Sequence, residues 1–185
     1  MESYEPLIDS SSVVPCLKYI QRNKMAYHQA LQLVKCLCKE LKSSNDHRTY
    51  TLHSKRSVLL AARLGLHEVV EDIVDAFPHA IWSCNEYGHC IFQLAVIHRC
   101  EKVINLIYQM SGHKYSLLVH TDTLGNNVLH LAGGLAPPRI LNLVVGAALQ
   151  MQRELQWFKE VEKLVNPSYK VELNCSRETP SIIFI

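Results

Sequence analysis

Residues 85–95 read NEYGHCIFQLA and residues 122–132 read DTLGNNVLHLA, so the chain carries one pattern twice: an Asn/Asp-x-x-Gly turn followed by an apolar helical segment. Residues 58–62, VLLAA, form a third version of the apolar part. The marker alanines Ala61, Ala95 and Ala132 fall 34 and 37 residues apart. A period in this range is typical of stacked structural repeats.

A second helix is predicted after each marker alanine. Apolar residues recur eight, nine and twelve positions further on: Val69, Val70 and Ile73; Val103, Ile104 and Ile107; Ile140, Leu141 and Val144. This spacing places the side chains on one face of a helix. In the turns, Asn or Asp bonds its own backbone and Gly supplies a positive φ. Each unit is therefore predicted to be a helical hairpin followed by a turn.

The hairpins resemble the ankyrin repeat. AARLGLHEVV at 61–70 follows the helix-turn-helix core of that family, and NNVLHLA at 126–132 resembles its Thr-Pro-Leu-His opening, with Asn127 and Val128 replacing Thr and Pro. The resemblance implies an all-α solenoid of about three repeats with an N-terminal capping helix and an extended C-terminal helix. In this family the histidine of the opening ties its loop to the next unit. Leu59 and Gln93 stand at that position in the first two units, so only His130 would make the tie in its usual form.

A narrower resemblance covers the later part of the chain. GAALQMQRELQWFKEVE at 146–162 and ETP at 178–180 look like plant ankyrin proteins that end in a membrane-spanning PGG domain, the relatives of the accelerated-cell-death and salt-tolerance proteins. This resemblance implies a protein-interaction module at the cytoplasmic face of the plasma membrane, acting in stress and defence signalling. The chain ends before the membrane helices of those relatives would start. It is expected to be a truncated product, a fragment, or a soluble form that competes with them.

Composition limits the classes of partner. The chain has 185 residues, 48% hydrophobic and 19% charged, which suits one folded domain. Its 19 basic and 17 acidic residues leave no electrostatic footprint for nucleic acid. Residues 1–56 carry nine Lys/Arg and five Asp/Glu, whereas residues 57–185 carry ten and twelve. The basic segment could touch an anionic membrane face or an acidic partner, but its spread charges favour an ordinary solvated surface.

Seven cysteines without regular spacing do not resemble a secreted disulfide framework, and no signal peptide opens the chain. A reducing, cytoplasmic location is therefore expected. No apolar run reaches the roughly 18 residues that a membrane-spanning helix needs, so no direct membrane span is predicted.

The predicted layout has four parts: an unstructured segment at 1–22, a capping helix and polar linker at 23–55, repeats at 56–165 and a tail at 166–185. The repeats are placed at about 56–88, 89–125 and 126–165. Pro138 is expected to begin a helix, and Gly146 to interrupt one. The charged residues of the long C-terminal helix are assigned to its wet face: Arg153, Glu154, Lys159, Glu160, Glu162 and Lys163.

Motifs for chemistry are weak. His130 and Asp122 lack a Gly-x-Ser-x-Gly nucleophile elbow. Cysteine and histidine near the second turn, Cys84, His89 and Cys90, and the pair Cys36 and Cys38 lack the Cys-x-x-Cys spacing of zinc sites. Gly133-Gly134 lacks the Lys-Ser/Thr of a phosphate loop. No catalytic residue, cofactor or metal is predicted, and no enzymatic activity.

A stacked array presents a concave surface made of its first helices and projecting turns. The predicted partner-binding residues are Arg63, Glu86, Tyr87, His98, Thr123 and Leu124. Tyr87 is the strongest of these because aromatic residues are enriched among binding hot spots. Two alternatives stay open: ordinary solvent-facing surface, and self-association through the helix at 23–42 and the exposed part of 149–165.

Overall fold

A computed structural model of the chain describes residues 10–43, 47–109 and 114–184. Within these ranges the fold is all-α, apart from an isolated antiparallel bridge between Cys84 and Cys90. The helices in chain order are α1 Ser10–Ser43, α2 His47–Leu64, α3 His67–Ala76, α4 Ile91–Ile97, α5 Glu101–Gln109, α6 Lys114–Val119, α7 Val128–Gly133, α8 Pro138–Leu141, α9 Ala147–Leu164 and α10 Pro180–Phe184. Short 3-10 helices cover Pro78–Trp82 and Pro167–Lys170.

The helices stack in sequence order. Helix α2 packs on α4, α4 on α7 and α7 on α10, while α3 packs on α5 behind them. The marker alanines Ala61, Ala95 and Ala132 are all buried, one in each of α2, α4 and α7. Small side chains at these places let successive helices approach closely, and the apolar core runs continuously along the stack.

The turns of the array share one hydrogen-bond pattern. The side-chain oxygens of Asn85, Asp122 and Asn174 each accept N–H groups from the residues two and four positions further on, at 2.8–3.0 Å. The residue three positions on donates its N–H back to the carbonyl of the Asn or Asp, and it has a positive φ in all three turns. The third turn lies in the segment predicted as a tail. The turn pattern did not identify it in the sequence because Arg177 replaces the glycine that marks the other two turns.

Main-chain bonds join each turn to the next. The Thr123 N–H donates to the Tyr87 carbonyl at 3.0 Å, and the Cys175 N–H donates to the Leu124 carbonyl at 2.9 Å. The donor and acceptor positions within each turn are the same in both links. The three turns therefore form a continuous row along one edge of the stack.

The N-terminal boundaries differ from the predicted ones. Helix α1 begins at Ser10, thirteen residues before Asn23, and α2 begins at His47, inside the predicted linker. The segment from His47 to Lys55 contains no Gly or Pro to stop a helix, so its polar composition is compatible with a helix as well as with a loop. Residues 1–9 and 44–46 lie outside the described residues.

Helix α1 packs on α3, but only part of its apolar stripe is covered. Val34, Cys38 and Leu41 pack against the core. Four other members of the predicted stripe are exposed, namely Ala26, Ala30, Leu33 and Leu37. Polar links add to the contact: Lys35 Nζ lies 3.4 Å from Asp72 Oδ1, and the Tyr27 hydroxyl donates to the Glu68 carboxylate. This second bond raises the pKa of Tyr27 to about 12.

The third hairpin is interrupted where the sequence predicted. Pro138 begins α8, and Gly146, with φ +99°, precedes α9. One assignment on α9 was wrong: Glu154 is 4% exposed and does not belong to the wet face. Its carboxylate pairs with Arg99, as described below. No helix within the described residues is both long enough and apolar enough to cross a membrane.

Candidate binding groove

A groove of about 650 Å³ lies between α2, the turn at Asn85 and α4. Its lining comes from all three elements: Arg56, Leu59, Leu60, Arg63, Asn85, Glu86, Tyr87, His89, Leu94, Ile97 and His98. Four of the six predicted binding residues are among them, namely Arg63, Glu86, Tyr87 and His98. The structure therefore brings together residues that are up to 35 positions apart in the sequence.

The wall formed by α2 follows from helical spacing. Val58, Ala61 and Ala62 point into the core, so Leu60 and Arg63 fall on the opposite side of the helix. Leu60 is 55% exposed and Tyr87, across the groove, is 59% exposed. Two large apolar side chains thus face solvent on opposing walls.

Tyr87 is held by a well-bonded turn. Its N–H donates to Asn85 Oδ1 at 3.0 Å, and its carbonyl accepts both the N–H and the hydroxyl of Thr123, each at 3.0 Å. Its ring lies beside that of His89, with 5.9 Å between centroids, and His89 Nε2 lies 3.3 Å from Asp122 Oδ2. The ring is exposed although the backbone beneath it is fixed, which suits a preorganised contact residue.

The other two predicted residues lie on the next turn of the row. Leu124 is 63% exposed and could extend the contact surface beyond Tyr87. Thr123 uses its hydroxyl and its N–H to hold the Tyr87 carbonyl, so its side chain has a structural part in positioning the turn.

The charge of the groove is mainly positive. Arg56 and Arg63 are exposed, and neither forms an ion pair with any residue that the structure describes. Glu86 is the only acidic side chain among the lining residues given above. Burial, and next the charges of Arg63 and Arg139, hold the pKa of His98 below its ordinary value. Near neutral pH the ring is therefore uncharged and the arginines supply the positive charge.

Sequence reasoning missed Arg56, Leu60 and Ile97, although a signal for the charge was present. Helix α2 contains no Asp or Glu, whereas α3 contains four acidic residues and no Lys or Arg. Charge counted over long segments averages these two helices together. Counted helix by helix, the charge distinguishes the basic helix α2 from the acidic helix α3.

The polar residues that could suggest catalysis are engaged elsewhere. Asp122 Oδ1 accepts N–H groups of its own turn, while His130 bonds Asn127 and Glu178, so Asp122 and His130 do not form a pair. Cys84 Sγ lies 3.6 Å from His120 Nε2. That nitrogen also lies 2.8 Å from the Gly88 carbonyl, to which it donates, and it cannot at the same time accept the thiol proton.

The two cysteines beside the turn at Asn85, Cys84 and Cys90, lie in surroundings that disfavour their ionisation. Burial raises the pKa of Cys84 and, to about 11, that of Cys90, which disfavours a thiolate at either position. Among the described residues, no three side chains of His, Cys, Asp or Glu are placed to hold a metal ion.

Two buried polar side chains link α4 and α7 to the loops that follow. His130 Nδ1 accepts the Asn127 N–H at 3.2 Å, and Nε2 donates to the Glu178 carbonyl at 3.0 Å. Gln93 makes the equivalent pair with its amide, accepting from Cys90 N–H and donating to the His120 carbonyl, both at 3.0 Å. Gln93 therefore links its helix to the following loop with the same two kinds of bond as His130, although the sequence analysis expected the usual form of this link only at His130.

No protein-family model matches the chain, and no curated protein matches it significantly. What the groove binds has to be inferred from its own side chains.

Proposed function

We propose that this chain is a non-enzymatic protein-binding module built of ankyrin repeats, and that the groove between α2, the Asn85 turn and α4 receives the partner. The repeat assignment is supported by the three turns with the same bonds, by the links between them, and by the matching ties at Gln93 and His130. Buried alanines at equivalent places in α2, α4 and α7 are also consistent with it.

The observation that carries the proposal is the groove's combination of exposed apolar side chains and arginines that form no ion pair with a described residue. Leu60 and Tyr87 both line the groove of about 650 Å³, and Leu124 follows on the next turn. Binding hot spots are enriched in tyrosine and arginine. A protein segment could bury the apolar side chains at the centre and pair with the charges at the edge.

A random-sequence peptide library displayed on phage tests the proposal directly. Peptides selected on the immobilised chain should bind the double variant Tyr87→Ala, Leu124→Ala at least about tenfold more weakly, because truncating one hot spot costs about 2 kcal/mol or more. Both side chains are exposed, so the variant should keep the wild-type circular dichroism spectrum and melting temperature.

The control variant removes two exposed apolar side chains elsewhere. Leu149 and Met151 on α9 are 57% and 51% exposed, and changing both to Ala should leave peptide binding unchanged. Selected peptides that bind both double variants as well as the wild type would refute the groove as the binding site.

The cellular setting follows from the family resemblance. In this proposal the module acts in the cytoplasm, in plant stress or defence signalling, and shares partners with membrane-anchored PGG-family relatives. The module would then compete with them for those partners. Co-precipitation tests this competition: excess chain should displace a partner from a membrane-anchored relative, and undiminished recovery of the partner would contradict it.

A second candidate function is self-assembly, favoured by the uncovered face of α1. Tyr19, Leu33 and Leu37 are 60–67% exposed, as are the nearby Ile20 and Met25. Two such faces could pair with each other. If they do, light scattering should show a defined oligomer that becomes a monomer in the variant Leu33→Glu, Leu37→Glu. A wild-type monomer at all accessible concentrations would exclude this function.

A further inference from the structure

Helices α2 and α3 carry opposite charge. Two of the four acidic residues of α3 are engaged by α1: Lys35 pairs with Asp72 at 3.4 Å, and Tyr27 donates to Glu68. Arg56 and Arg63 of α2 have no ion pair among the residues described. Helix α1 therefore engages part of the acidic surface of α3, whereas the arginines of α2 stay open to a partner.

We propose that the partner of the groove is an acidic protein segment that carries Asp or Glu beside apolar side chains. This inference rests on the proposed function and specifies the chemistry of the same site. Carboxylates of the segment would pair with Arg56 and Arg63, and its apolar residues would lie against Leu60, Ile97 and Tyr87.

Helix geometry sets the spacing of the carboxylates. Arg56 and Arg63 are separated by two helical turns on one face, which places their Cα atoms about 10 Å apart at 1.5 Å per residue. In an extended partner segment, side chains two or four positions apart share one face, and acids four positions apart span about 13 Å, which two long arginine side chains can reach with one same-face residue midway between the acids. Leu59 and Leu60 lie between the two arginines along α2, so an apolar residue between the two acids would meet an apolar surface.

The lining favours a peptide over nucleic acid. About half of the lining side chains are apolar, and the Glu86 carboxylate at the turn would repel a phosphate backbone. Nucleic-acid surfaces show a broad excess of positive charge, whereas this chain has 19 basic and 17 acidic residues overall. Two arginines beside an apolar strip match alternating acidic and apolar side chains.

The same phage selection supplies the probes for this inference. Peptides whose binding requires Tyr87 and Leu124 should be enriched in Asp and Glu, with acids four positions apart over-represented and an apolar residue midway between them. The strongest of them, made synthetically with a fluorescent label, should bind at least about tenfold more weakly to the variant Arg56→Glu, Arg63→Glu, since two exposed ion pairs are worth about that much. Fluorescence anisotropy measures the affinity, and raising the salt concentration should weaken it.

The matched control reverses two exposed charges on another face. The variant Arg153→Glu, Lys159→Glu on α9 makes the same change in net charge and should bind the peptide nearly as well as the wild type. Equal losses in both variants would mean that only the overall charge matters, and would overturn the assignment to Arg56 and Arg63.

Other outcomes separate this inference from the proposed function. Selected peptides that need Tyr87 but are neutral or basic would overturn the acidic partner while the binding groove remains. Selected peptides that do not need Tyr87 and Leu124 would refute the groove itself. Displacement of the peptide by single-stranded oligothymidine at an equal or lower concentration would overturn the inference in favour of nucleic acid.

Discussion

The second hairpin consists of α4 and α5, and the third of α7, α8 and α9. The two hairpins follow turns with the same hydrogen bonds but pack in different ways. In the second, α4 connects to α5 through a tight turn at Arg99, and α5 packs directly on α3. In the third, α7 is followed by an irregular segment, the short α8 and then the long α9. Helices α5 and α9 stand apart, with a cleft of about 440 Å³ between them.

A buried ion pair compensates for this irregularity. Arg99 takes a φ of +57° at the place where Gly65 has +75° in the first hairpin. Its guanidinium donates to the Gly134 carbonyl at 2.6 Å and to the Glu154 carboxylate, which also accepts the Ala136 N–H at 3.0 Å. The third hairpin lacks a regular turn between its helices. There the Arg99–Glu154 pair bonds the main-chain groups of Gly134 and Ala136.

Removing Glu154 should break this arrangement and give the largest effect. Both side chains of the pair are 5% exposed, and Glu154→Ala leaves the Arg99 charge buried without its partner. Breaking a buried pair from one side costs about 3–5 kcal/mol. Urea denaturation followed by circular dichroism measures the loss in the free energy of unfolding.

The control for this change lies on the same helix. Glu160 pairs with Lys163 at 2.7 Å, but its side chain is 55% exposed, so Glu160→Ala should cost less than about 1 kcal/mol. Similar losses at the two positions would show that the Arg99 pair does not hold the third hairpin.

Sequence periodicity predicted the regularly spaced helices and turns, but it missed the buried ion pair of Arg99 and Glu154. Apolar spacing and turn residues identified α3, α5 and the turns at Asn85 and Asp122, because each depends on residues near one another in the chain. Glu154 looked like a surface residue because its partner, Arg99, is 55 positions away. Four groove residues were found for the same local reasons, whereas Arg56 was missed because it precedes the apolar pattern that begins at Val58.

The second prediction compares the ties of the second and third hairpins. Gln93→Leu leaves the buried Cys90 N–H and the His120 carbonyl without their partner, and an unsatisfied buried group costs about 1–3 kcal/mol. Gln93→His should keep both bonds in the manner of His130 and remain within about 1 kcal/mol of the wild type. Urea denaturation of the two variants decides whether the ties are equivalent, and equal losses would show that they are not.

A smaller difference is expected between the glycines of the two turns. Alanine at a positive φ costs about 1–2 kcal/mol. In Gly88→Ala the new Cβ would also lie 3.1 Å from the Thr123 nitrogen, whereas in Gly125→Ala its nearest contact is the Cys175 side chain. Gly88→Ala should therefore lower the melting temperature more than Gly125→Ala. The opposite order would mean that the Thr123 backbone moves away from the new Cβ more easily than the Cys175 side chain does.

The smallest effect is expected at the third turn, where Arg177 occupies the glycine position at φ +60°. Arg177→Gly removes a left-handed strain of about 1–2 kcal/mol, but it adds unfolded-state entropy worth about 0.5–1 kcal/mol. The net gain should be about 0.5 kcal/mol, which raises the melting temperature by about 1–2 °C. Ser176→Gly, one residue earlier and without a positive φ, should instead lower it. A lower melting temperature in both variants would mean that the positive φ of Arg177 does not strain the chain.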